Sequence, residues 1–307
     1  MAFSASEAAF EGFRIIRREP KAAVVWAAVL VIFSIVSLLA MLPFMRGVMA
    51  SGAAGASPQS TTQAIAFAGQ MGRLYLVMIP LYLVVASVFS AAVYRSILRP
   101  EEKGLARLRL GGDELRLAGL WVLMGLFFVV ILLAVGIVLG LVIAGLSFAA
   151  RGSSAWLELL PLLMWLVAMC AWVWIGVRLS FAAPLTFARR RIDIFGSWKL
   201  TKGRFWSLFG CYLLAIVCVA LVALVDFAVS GALAIGMNGG SFSRGVAAIM
   251  RPDYSSYASL FTPLYVVRVL VGAAFSVVMW TVIIAAPAAA FREIAGPKPE
   301  DQAAAFS

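Results

Sequence analysis

The chain has 307 residues, of which 64% are hydrophobic and only 13% are charged. Soluble domains are closer to half apolar and about a quarter charged, so lipid rather than water is the expected solvent for most of this surface. The net charge is +11 and histidine is absent, which excludes HExxH metalloproteases and Ser-His-Asp hydrolases.

Six apolar stretches are long enough to cross a membrane as helices, which takes about 20 residues each. In chain order they cover residues 22–44, 74–96, 117–148, 155–187, 205–236 and 262–291. Several are longer than a bilayer requires, so we expect tilt or helical extension beyond it. Pro161, Pro184, Pro263 and Pro287 predict kinks or helix ends.

The predicted fold class is therefore an all-α polytopic membrane helix bundle with six spans. We expect a single membrane domain over residues 1–307, ending in a flexible C-terminal tail at 294–307.

Most of the 25 lysine and arginine residues lie on one side of these spans, in segments 1–21, 95–116, 178–204 and 292–298. Such an excess marks cytoplasmic loops. The distribution predicts a bacterial inner-membrane protein with both termini in the cytoplasm. Because topology accounts for the positive charge, no nucleic-acid partner is expected.

Short segments that alternate apolar and basic residues precede the odd-numbered spans, at 13–17, 108–112 and 198–202. The fourth and sixth spans also end alike, with proline five residues before arginine in Pro184–Arg189 and again in Pro287–Arg292. These similarities predict three tandem units in the same orientation. Each unit is an interfacial helix followed by a helical hairpin, and the units cover about 5–98, 99–191 and 192–293.

Basic side chains in the lead-in segments are expected to contact lipid phosphate, with aromatic side chains in the headgroup layer. The expected contacts are Arg14, Arg17, Arg109, Lys199, Lys202 and Arg204. These segments either anchor the topology or bind anionic membrane lipids or a membrane-protein partner. The sequence leaves both roles open.

Three ionisable residues, Arg178, Asp226 and Arg268, are expected at membrane depth, where such residues are functional candidates. Arg178 lies about 16 Å before Arg189 along a straight helix, which predicts a position near the midplane. Asp226 and Arg268 are expected near the outer face, where they could pair. Arg178 either has a structural role, satisfied by hydroxyls and carbonyls, or binds an anionic lipid or substrate.

Gly136, Gly140 and Ala144 form a ladder of small residues in the third span. Such ladders permit close helix approach, and packing within the monomer is the favoured use.

No catalytic, metal-binding or cofactor-binding residues are expected. The chain has no Walker A sequence and no acidic pair within a span. Cys170, Cys211 and Cys218 lie in apolar runs without a CxxC pair, which is typical of ordinary apolar residues. The sequence therefore predicts a protein that is not an enzyme and uses no cofactor.

The run GSWKLTKGRFW at 196–206 resembles an S-W-x-L-T-x-G-x-F-W signature, and residues 94–101 and 108–116 carry further similarity. The resemblance is to bacterial six-span proteins named after the membrane domain of glycerophosphoryl diester phosphodiesterase, and it covers nearly the whole chain. It implies the six-span module. Enzymes of that name also carry a soluble barrel with His and acidic metal ligands, which we do not expect here, so the activity is not implied.

Two functional hypotheses follow. The first is a scaffold or accessory module of an envelope or lipid-related system, which predicts a tightly packed bundle without a central cavity. The second is a transporter or lipid-handling protein, which predicts a cavity or lateral groove that reaches Arg178.

Overall fold

A computed structural model describes residues 4–50, 61–102, 104–149, 155–250, 253–254 and 256–296. These residues are helical or irregular and include no strand. Six helices are long and apolar enough to cross a membrane, which confirms the predicted all-helical, six-span class of a multi-pass membrane protein.

The helices are α1 (Ala5–Arg18), α2 (Pro20–Ala50), α3 (Thr61–Leu98), α4 (Gly112–Ala149), α5 (Ala155–Leu179), α6 (Ala182–Arg189), α7 (Ile194–Leu200), α8 (Phe205–Met237), α9 (Phe242–Met250) and α10 (Pro263–Ala295). Two 3-10 turns lie at Leu105–Arg107 and Ala258–Phe261. The predicted fourth span is divided into α5 and α6. Residue 297 and those after it, most of the predicted tail, lie outside the described residues, and α10 continues to Ala295.

Both described termini lie at the same end of the bundle, since the Ser4 amide donates to Glu293 Oε2 at 3.2 Å. We call the end that carries α1, α7 and the 105–107 turn the basic end. Local signals start its helices: the Ser4 hydroxyl caps α1 by accepting from the Glu7 amide, and the Asp193 carboxylate caps α7 by accepting from the Gly196 amide.

The tightest packing in the bundle lies toward the basic end. There α3, α6 and α10 contact one another, and their buried faces are rich in alanine. Examples are Ala91 and Ala92, Ala182 and Ala183, and Ala288, Ala289 and Ala290. Small side chains allow helices to approach closely. Toward the opposite end α4 is largely exposed, as a lipid-facing helix would be.

Each lead-in segment packs on protein. The α1 helix lies against α10 and α8, the 105–107 turn against α2 and α3, and α7 against α6 and α5. In α1 the contact depends on Gly12, where an added Cβ would lie 2.5 Å from Val282 Cα. The buried face of α1 includes Glu11, whereas Phe10 is 41% exposed.

The predicted lead-in of the second unit does not form a full helix. Residues 105–107 form one 3-10 turn, in which Ala106 and Arg107 adopt left-handed φ values of 51° and 57°. The Trp26 indole N–H donates to the Ala106 carbonyl at 2.8 Å and so fixes this turn on α2.

The small-residue ladder in α4 does not pack within the monomer, so that prediction is wrong. An added Cβ at Gly136 or Gly140 would meet nothing within 4 Å, and Ala144 is exposed. The physical reason is that α4 packs on α3 and α6 near the basic end and is exposed farther along. Cys170 is likewise exposed, whereas Cys211 and Cys218 are buried.

Candidate lipid site and ionic cluster

The Arg178 guanidinium lies against two tryptophan rings that also contact each other. Its Cζ is 5.5 Å from the centroid of Trp174 and 5.6 Å from that of Trp198. The two rings are 5.0 Å apart and nearly perpendicular, at 88°. These distances are within the range of cation–π attraction. Among the described groups, the two rings are the partners that stabilise the positive charge of Arg178.

Hydrogen bonds join the break between α5 and α6 to α7. Ser197 Oγ donates to the Arg178 carbonyl at 2.7 Å and accepts from the Phe181 amide at 3.1 Å. Thr201 Oγ1 lies 3.2 Å from the same carbonyl. Two hydroxyls of α7 thus satisfy backbone groups that a helix end leaves free.

The midplane position predicted for Arg178 assumed a straight helix from Arg178 to Arg189, whereas α5 ends at Leu179. Contact with Trp198 places Arg178 level with α7, toward the basic end. Its depth in a membrane stays a prediction.

Among the described residues, the Arg178 guanidinium has no carboxylate partner in an ion pair. The residue is half-buried, and its Nε and Nη1 atoms are buried without a hydrogen bond to a described group. Burying part of an unpaired charge is costly, so an anion that reaches this position would be stabilised.

An apolar groove of about 770 Å³ adjoins this site between α5 and the start of α8. Its lining includes Val173, Trp174, Phe205, Trp206 and Phe209. Phe205 and Phe209 stack at 5.8 Å, and Trp206 is largely exposed. The Trp174 ring is shared by the groove and by the Arg178 site.

Three predicted phosphate contacts lie beside this groove, in α7 and at the start of α8. Lys199, Lys202 and Arg204 are exposed, and Arg204 immediately precedes Phe205. They lie at the same end of the bundle as Arg178.

The other predicted contacts differ in their surroundings. Arg17 is exposed, whereas Arg14 bonds to Glu11 at 3.4 Å and Arg109 lies 4.0 Å from Glu102. Glu11 is buried and also faces Arg292 of α10 at 3.5 Å.

Asp226 and Arg268 are not paired. Asp226 Oδ1 accepts a hydrogen bond from Ser230 at 3.4 Å, and no ion pair among the described residues joins it to Arg268. Both side chains are half-buried. The structure therefore leaves the two as separate sites.

A second polar site, which sequence reasoning missed, is a buried ionic cluster at the basic end. Arg95 is 3% exposed and its Nη2 donates to Glu114, which is 4% exposed. Arg95 Nη1 donates to the Arg107 carbonyl at 2.8 Å. Glu114 Oε2 also accepts from the Gly111 amide at 3.0 Å.

Neighbouring arginines extend this Arg95 cluster to α6 and to the residue that precedes α2. Arg99 donates to Asp113 at 3.0 Å and to the Phe187 carbonyl at 2.7 Å. Arg107 forms a bidentate pair with Glu19, with contacts between 2.8 and 3.1 Å. The sequence shows these groups only as loop charges, because no spacing rule brings the end of α3 to the start of α4.

The capping carboxylate Asp193 also has a shifted pKa. The Gly196 amide is the principal cause, with Arg189 and Arg191 adding to it, and together they lower the pKa of Asp193 against the opposing effect of burial. Its Oδ2 lies 2.7 Å from Arg189 Nη1.

Among the described residues, no three His, Cys, Asp or Glu side chains group to hold a metal ion. Comparisons with protein-family models, curated proteins and solved structures find no match. Functional inference therefore rests on the geometry of these two sites.

Proposed function

We propose that this chain is a non-enzymatic lipid-handling module of the bacterial inner membrane. It binds an anionic phospholipid from the side, with an acyl chain in the groove between α5 and α8 and the phosphate against Arg178. The observation that carries this proposal is a cation without a carboxylate partner, placed beside an apolar groove.

The chemistry of the site supports an anionic lipid in particular. Arginine binds phosphate through directed, charge-assisted hydrogen bonds, and two of the Arg178 nitrogens lack a partner. Aromatic side chains such as Trp206 favour the headgroup level. Exposed Lys199 and Lys202 add attraction for a negative surface.

The proposed architecture is three tandem units around a pseudo-threefold axis. A repeating pattern of contacts supports it, in which each lead-in packs on the spans of the preceding unit. The 105–107 turn packs on the first unit, α7 on the second, and α1 closes the ring by packing on the third. We further propose that both termini are cytoplasmic, on the lysine and arginine distribution, and that the chain belongs to the six-span family that 196–206 resembles.

The test is lipid retention by the full chain, measured by native mass spectrometry. Phosphatidylglycerol and phosphatidylcholine with identical acyl chains are compared in the wild type, Arg178→Met and Arg18→Met. The proposal expects selective retention of phosphatidylglycerol, lost in Arg178→Met and kept in Arg18→Met, whose side chain on α1 is 70% exposed. Equal retention of both lipids, or no effect of Arg178→Met, would contradict it.

A scaffold or accessory subunit is the second candidate. The observation that favours it is the open face of α4 at Gly136 and Gly140, which suits contact with another membrane protein. Replacing both glycines by leucine should release a co-purifying membrane partner without changing phosphatidylglycerol retention. If the chain only binds lipid, no co-purifying membrane protein should depend on this face of α4.

A further inference from the structure

A polar cleft of about 350 Å³ opens at the basic end beside the Arg95 cluster. Its lining includes Arg95, Glu102, Arg109, Arg116 and Arg190. It shares no lining residue with the groove beside Arg178. The cleft is therefore a separate site, and the lipid proposal does not use it.

One carboxylate, that of Glu102, lies at the focus of four guanidiniums. The nearest nitrogens are those of Arg95 at 3.7 Å, Arg99 at 3.5 Å, Arg109 at 4.0 Å and Arg190 at 3.8 Å. Well-formed guanidinium–carboxylate bonds are about 2.7–2.9 Å long. The Glu102 carboxylate is thus within ion-pair distance of all four arginines, but each contact is longer than a well-formed bond.

The charges around the cleft do not balance. Asp113 is bound by Arg99 at 3.0 Å and by Arg116 at 2.8 Å, and Glu114 is bound by Arg95. Apart from Glu102, these two carboxylates face four arginines, which are Arg95, Arg99, Arg116 and Arg190. A ligand with two negative charges in the place of Glu102 would neutralise these four.

Arg95 carries a buried hydrogen-bond donor, Nε, that no described group accepts. The side chain is 3% exposed, yet its Nε has no hydrogen-bond partner among the described groups. Buried arginine nitrogens are ordinarily satisfied. The nearest carboxylate oxygen, that of Glu102, is beyond hydrogen-bond length.

We propose that this cleft binds a phosphate dianion, as inorganic phosphate or as a phosphomonoester headgroup, and that Glu102 occupies the phosphate position when the cleft is unliganded. Phosphate offers more acceptor oxygens than a carboxylate and matches the planar guanidinium in bidentate geometry. Glu102 lies on the short connection between α3 and α4 and is only partly buried. Binding displaces its carboxylate from the arginines.

Calorimetric titration of the detergent-solubilised full chain with inorganic phosphate, at constant ionic strength, tests the proposal. Arg190→Gln should weaken binding roughly tenfold, since it removes one charged contact. Glu102→Gln should instead strengthen binding at least threefold, because the competing carboxylate loses its charge. Arg18→Gln, on α1 and outside the cleft lining, is the matched control and should bind as the wild type does.

A second arm separates the two sources of phosphate. Nanodiscs with phosphatidic acid or phosphatidylcholine are compared for lipid retention in the wild type and in Arg190→Gln. Binding of inorganic phosphate supports a free anion, whereas retention of phosphatidic acid that Arg190→Gln weakens supports a headgroup. Neither form of binding, or weaker binding in Glu102→Gln with unchanged thermal unfolding, would overturn the proposal.

Discussion

Replacing Arg95 by methionine should destabilise the basic end more than any exposed arginine replacement. The change removes the hydrogen bonds to Glu114 and to the Arg107 carbonyl and leaves Glu114 buried without its cation. Each charged hydrogen bond contributes about 1.5–3 kcal/mol, and breaking one side of a buried pair costs about 3–5 kcal/mol. We therefore expect a loss of about 3–5 kcal/mol in the free energy of unfolding.

Reversible denaturant unfolding in mixed micelles provides the assay, with a double-mutant cycle through Arg95→Met and Glu114→Met. The double variant buries no unpaired charge, so it should lose less than the sum of the single changes by at least about 1 kcal/mol. Arg190→Met is the control, because its side chain is 64% exposed and such pairs contribute about 0–1 kcal/mol.

The reasoning would be refuted by an Arg95→Met loss below about 1 kcal/mol, similar to that of the exposed control. Additive losses in the cycle would also refute it, since they would mean that Arg95 and Glu114 do not stabilise each other.

Three further results are expected at the helix junctions. Gly12→Ala should cost about 1–3 kcal/mol of unfolding free energy, because the new methyl group meets the Val282 backbone; Gly210→Ala, with open space around it, should be neutral or stabilising. Asp193→Ala should cost about 1 kcal/mol through loss of the α7 cap, and an unchanged melting temperature would argue against the cap. Because the pKa of Asp193 is lowered, its stabilisation is complete above the ordinary carboxyl value of about 4 and is lost as pH falls through the lowered value. The difference between the wild type and Asp193→Ala should therefore disappear in acid.

The six spans could be predicted because each is a long apolar run whose length alone distinguishes it from a core helix. The predicted first span, 22–44, lies within α2. The predicted fifth span, 205–236, begins at the same residue as α8 and ends one residue before the end of that helix. The break within the fourth span was not predicted. It depends on hydroxyls of Ser197 and Thr201, which act on a carbonyl about twenty residues earlier in the chain.

The candidate site was predicted only in part. Arg178 could be singled out because a charge in an apolar run is conspicuous. Its contact with Trp198 depends on how α7 packs on α5, which no spacing in the sequence expresses. The Arg95–Glu114 pair was missed for the same reason, since both residues look like ordinary loop charges.

The most direct measurement is an electron cryomicroscopy map of the full chain in nanodiscs that contain phosphatidylglycerol. The account predicts acyl-chain density in the groove between Trp174 and Phe209, with phosphate density in contact with the Arg178 guanidinium. An empty groove, or an Arg178 side chain paired with a carboxylate of the protein, would contradict it.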